Sequence, residues 1–88
     1  MQATDIALWM QEQLDKEGCL YQDDVVDMSV KTNNENYLRE NSDGNQVLAT
    51  TVLNHFKGLN ELTVVWVRSE QYWRFRVKED ELSRNAIG

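Results

Sequence analysis

Cys19 and His55 are the side chains in this sequence best suited to bind a transition metal or to act as a nucleophile and base. A closed zinc site takes four ligands, and neither residue has a second His or Cys near it in sequence. A Cys–His catalytic pair needs the two to meet in the fold, and nothing around them points to that. Cys19 therefore reads as a small apolar group and His55 as a helix-surface residue. Asp23, Asp24 and Asp27 lack the alternating oxygen ligands and twelfth-position glutamate of a calcium loop, and read as the solvated first turn of a helix. Glu79-Asp80-Glu81 reads as a solubilising run. Asp43-Gly44-Asn45 would offer backbone N–H groups to an anion, but the longer glycine-rich loop and lysine of a phosphate-binding loop are missing. A turn plus a helix cap accounts for it. The sequence thus supplies no catalytic residue, no metal site and no cofactor-binding motif.

The residues that do suggest contact with a partner lie in Leu62–Lys78, which holds two of the three tryptophans. This stretch reads as a β-hairpin turning at Ser69–Glu70. Val67 then faces Tyr72, Trp66 faces Trp73, Val65 faces Arg74, and Val64 faces Phe75. Alternation puts Val64, Trp66, Trp73 and Phe75 on a core-facing side. The other side carries Val65, Val67, Tyr72, Arg74 and Arg76, an apolar and basic surface that asks for a partner. Trp9, Trp66 and Trp73 read as core, because an aromatic cage for a cation needs rings open to solvent.

Helices must position this hairpin. Thr4 or Asp5 caps a first helix with Ile6, Trp9, Met10 and Leu14 at helical spacing, and Gly18 ends it. Cys19–Tyr21 is long enough for one short extra strand. Gln22 or Asp23 caps a second helix whose stripe is Val25, Val26 and Val30; three β-branched residues leave its stability to tertiary packing. Thr32–Asn45 is asparagine-rich and reads as a loop, with Tyr37 and Leu38 tucked beneath it and a turn at Asp43-Gly44. The third helix is expected over 45–57, with Leu48, Ala49, Val52, Leu53 and Phe56 buried and Gly58 as its stop. The expected domain covers 1–82, followed by a polar tail at 83–88.

Helix, strand, helix, helix and hairpin in that order give an α+β, winged-helix-like fold: three helices plus a C-terminal wing. The chain resembles small bacterial winged-helix-like domains, some carried as integron gene cassettes. The shared features are Ala7, Trp9 and Met10; Gly44 and Asn45; Val52, Leu53 and Phe56; and the hairpin from Val64 to Arg76. They are mostly core positions, so the resemblance implies the fold and carries over no site residue or activity.

Charge separates the two functional readings. The net charge is −6. Residues 1–44 hold ten acids and three bases, and residues 45–88 hold five acids and six bases. The first reading is a non-enzymatic protein-interaction or adaptor domain, a homodimer or a binder of another protein. Its contact surface would be Val65, Val67, Tyr72, Arg74 and Arg76, with the arginines meeting acids of the first two helices across a two-fold axis. The alternative is a DNA-binding winged helix. It would place Gln46, Thr50, Asn54 and Lys57 of the third helix toward bases, and Arg68, Arg74 and Arg76 of the wing toward phosphates. A helix with one lysine in an acidic chain argues against that alternative. No apolar run reaches membrane-spanning length, the N-terminus lacks a secretion signal, and a single cysteine fits a reduced cytoplasmic setting.

Overall fold

The computed structural model describes residues 1–80 and 84–85. In chain order the elements are α1 (Ala3–Glu17), β1 (Cys19–Tyr21), α2 (Gln22–Lys31), β2 (Leu38–Glu40), β3 (Gln46–Leu48), α3 (Thr50–Asn60), β4 (Val64–Val67) and β5 (Tyr72–Phe75), with a 3-10 turn at Glu35–Tyr37. The α+β class, the three helices, the extra strand and the C-terminal hairpin follow the sequence expectation.

Helix α1 begins earlier than Thr4 or Asp5, because the Asp5 carboxylate accepts the Gln2 backbone N–H at 2.8 Å and moves the cap to Gln2. It ends at Gly18, whose φ of 81° is left-handed and whose N–H donates to the Leu14 carbonyl at 2.8 Å. In α2, Val25 and Val26 are buried but Val30 is exposed. Ser29, four residues after Val25, takes the buried place instead; its Oγ donates to the Val25 carbonyl at 2.9 Å and so needs no other partner.

The largest departure falls between α2 and α3. Residues expected to form a loop and then the start of a helix make an antiparallel ribbon, with Leu38 opposite Leu48, Arg39 opposite Val47 and Glu40 opposite Gln46. Asn41 Oδ1 accepts the N–H groups of Asp43 and Asn45, and Gly44 adopts φ 79°, so the Asp43-Gly44 turn closes a hairpin rather than opening a helix. The ribbon buries Leu38 and Leu48. Helix α3 consequently starts at Thr50 and runs through Gly58 to Asn60.

Strands β1, β5 and β4 form one antiparallel sheet in that order. Helix α1 packs against α3. A single core cluster joins Ile6, Met10 and Leu14 of α1, Val25 of α2, Val52 and Phe56 of α3, and Leu20, Val64 and Trp73 of the sheet. Among the described residues no helix is long and apolar enough to cross a membrane.

Candidate functional site

The hairpin register is the expected one, Val64–Phe75 through Val67–Tyr72, and β1 extends it by pairing Cys19 with Arg74, Leu20 with Trp73 and Tyr21 with Tyr72. On the helix-facing side Trp73 is buried and meets the Phe56 ring edge-on at 5.2 Å, while Trp66 leans on it at 4.6 Å, half-buried. Phe75, expected in the core, is exposed. Strand β1 stops opposite Arg74, one position short of Phe75.

The other face departs from expectation. Val65 is 0% exposed and Val67 is buried, so neither offers surface to a partner. Alternation fixes which way a side chain points, not whether the chain later covers it. Here it does. Asp80 accepts Arg74 Nη1 at 2.8 Å and Nη2 at 3.0 Å, together with the Val77 N–H at 2.9 Å. This fork draws the 77–80 turn back toward Arg74, the cross-strand neighbour of Val65. The Asp80 side chain is only 2% exposed, which corrects its reading as part of a solubilising run; Glu81 lies outside the described residues. Hydrogen bonding to Asp80 holds the Arg74 guanidinium above its usual pKa, against a smaller opposing effect of burial. Tyr72 is half-buried and stacks on Tyr21 at 4.9 Å in the Val67 row. Arg76 is half-buried and its Nε donates to the Leu62 carbonyl at 3.2 Å.

The nucleic-acid set is also divided. Thr50, Asn54 and Lys57 are exposed on α3 at one helical face, and Arg68 is exposed just after β4. Gln46 belongs to β3, not to the helix, because the Asn41–Asn45 turn commits it to the ribbon. Arg74 is engaged within the chain. His55 is exposed and Cys19 half-buried; among the described residues no three His, Cys, Asp or Glu side chains gather as a metal site would need.

Two features were not visible in the pattern. The first is an exposed apolar end of the hairpin. Leu62 is 83% exposed, with Phe75 and Val77 exposed beside it, since the Arg76 N–H donates to Thr63 O at 2.8 Å and holds the two chain segments together there. Leu59, also exposed, lines one shallow groove with Leu62 and another with Leu8 of α1. Leu8 lies off the α1 stripe, Leu59 falls between the expected third helix and the hairpin, and Leu62 is the first residue of the hairpin stretch, so periodicity gave no signal that they gather.

The second is a cleft of about 400 Å³ between α3 and the sheet. Leu53, Phe56, Trp66 and Trp73 make its apolar wall, and Gln22, Lys57 and Arg84 supply polar groups. Arg84 and Asn85, expected as tail, dock on β4: the Trp66 N–H donates to Arg84 O at 2.7 Å, and Asn85 bridges to Trp66 in parallel. Arg84 Nη1 donates to Val64 O at 3.2 Å and Asn60 O at 3.4 Å, and Nη2 donates to Asn60 Oδ1 at 2.8 Å. Its guanidinium carbon lies 5.8 Å from the Phe56 ring centre. Burial lowers the Arg84 pKa from its ordinary value. Asn60, itself buried, also donates to Gln11 Oε1 of α1 at 2.7 Å and so links α1, α3 and Arg84.

A model of a family described as of unknown function, DUF6953, matches residues 2–75. No curated protein and no solved structure matched the chain significantly.

Proposed function

The chain belongs to the DUF6953 family, whose function is not known, and from that premise we propose a non-enzymatic protein-interaction domain that binds a second copy of itself. The contact we propose is the open end of the hairpin, in place of the outer face that Val65 and Val67 would have supplied. The observation that carries this reading is the gathering of Leu62, Phe75 and Val77, continued by Leu59, as exposed apolar side chains at one end of the molecule. Contiguous apolar surface on a small domain marks an interaction site. A second copy fits because the flanks carry both signs, Glu61 and Glu79 near Arg76 and Lys78. A two-fold contact sets opposite charges of the two copies against each other. The charge difference between the halves of the chain supports the same choice.

In sedimentation analysis the wild-type protein is expected to dimerise with rising concentration, and Leu62→Asp or Val77→Asp to remain monomeric with an unchanged melting temperature. A wild-type protein that stays monomeric up to its solubility limit would overturn the proposal.

We also read the architecture as winged-helix-like. In support, β1 lies between α1 and α2, the hairpin follows α3, and β1 joins that hairpin at β5. A DNA-binding role has less support. The connection from α2 to α3, residues 32–49, contains the β2–β3 ribbon, where a helix-turn-helix has a turn of about three or four residues. Thr50, Asn54 and Lys57 also stand in an acidic chain. A reduced cytoplasmic setting belongs to the same proposal and rests on the lone Cys19.

A further inference from the structure

We propose that the groove between α1 and α2 docks a basic peptide segment of another protein and seats one of its arginines. The groove encloses about 460 Å³, room for a side chain and its neighbours rather than a folded domain. Helical spacing builds it. Trp9 and Gln13 stand one turn apart on α1, and Asp24, Asp27, Met28 and Lys31 share one face of α2. Trp9 and Met28 are half-buried, each resting on the core with part of its surface left to the groove. Asp24 and Asp27 are exposed, and among the described residues neither carboxylate makes a hydrogen bond or an ion pair. An indole and two uncommitted carboxylates lining one groove match a guanidinium on two counts. The planar cation stacks on the ring, and its N–H fork pairs with carboxylate oxygens.

Charge over the two helices selects the same occupant. Helices α1 and α2 carry seven carboxylates and two lysines, all exposed, so the field around the groove attracts a basic segment and repels nucleic acid. Lys31 is the one competing cation among the described lining residues. It is exposed and forms no ion pair with Asp27, one turn before it, so an incoming guanidinium displaces no bond. A second copy of the chain is a poor occupant, because Arg39, Arg74, Arg76 and Arg84 all donate within their own chain. The groove shares no residue with the open end of the hairpin, and docking there does not depend on self-association.

The test is a titration of the full chain with the end-blocked peptide Ala-Arg-Ala-Arg-Ala, followed by the indole N–H resonance of Trp9. Peptides with lysine or uncharged citrulline in place of arginine are run in parallel. A saturable Trp9 shift is expected with the arginine peptide, and binding about tenfold weaker with lysine and weaker again with citrulline. Asp24→Asn together with Asp27→Asn should lower affinity about tenfold and leave the fold intact, since both side chains are exposed. Glu35→Gln together with Glu40→Gln makes the same change in net charge elsewhere on the surface, and should leave affinity within about twofold. Lys31→Gln should tighten binding. No saturable shift, equal binding of the lysine or citrulline peptide, or an equal loss in the two double variants would overturn the proposal. So would arginine amide binding as tightly as the peptide, which marks a small-ligand site. Loss of self-association in the variant at Asp24 and Asp27 would overturn it too, by making a second copy the occupant.

Discussion

Arg74→Ala removes both guanidinium bonds from an Asp80 carboxylate that is almost wholly out of water. Hydrogen bonds to charged groups contribute about 1.5–3 kcal/mol each in favourable cases, and a carboxylate stripped of its cation bears a further desolvation cost. We expect a loss of roughly 3 kcal/mol, seen as a melting temperature lowered by more than about 10 °C. Arg68→Ala, an exposed arginine near the hairpin turn, should change it little. If the two variants melt alike, Arg74 behaves as a surface charge and its pair with Asp80 contributes nothing to stability. The sequence places Arg74 at a contact between molecules; Asp80, six residues later, pairs with it within one.

Two glycines show how the elements, not the residue type, set the outcome of one substitution. Gly18 ends α1 at φ 81° with open space where a Cβ would stand, so Gly18→Ala meets no steric neighbour but must hold a left-handed backbone. That costs about 1–2 kcal/mol. Gly58 has open space too, yet lies inside α3 with ordinary helical geometry. There alanine is the better helix former and should add about 1 kcal/mol. Urea denaturation should therefore move the two midpoints in opposite directions. A destabilising Gly58→Ala would mean that α3 ends where the sequence alone suggested, at Lys57. Both glycines read as helix stops; only the placement of Leu59 and Asn60 on a continuing helix tells them apart.

At the scale of the molecule, the segment after β5 closes both sides of the sheet. Asp80 returns to Arg74 on one face, and Arg84 bonds to Asn60 and Val64 beside the cleft on the other. A chain shortened to end at Lys78 loses both contacts. It should melt at lower temperature and show tryptophan emission shifted to the red, as Trp66 and Trp73 gain water. An unchanged melt and spectrum would show that the β-sheet and helices hold together without that return.

Composition and periodicity determined the α+β class, the α1 stripe from Ile6 to Leu14, the Gly18 stop and the hairpin register, because each depends on neighbours within a few residues. The Asp43-Gly44 turn was legible as well, but its consequence was not. Whether it opens a helix or closes a ribbon depends on Leu38 meeting Leu48, ten residues away. The covered state of Val65 and the cleft beneath Arg84 belong to the tertiary structure alone. Beside them the chain returns after β5, through the pairs Arg74–Asp80 and Asn60–Arg84. No local pattern encodes which polar side chains such a return will bring together; that is decided only when the buried charge and the buried amide must each find a partner.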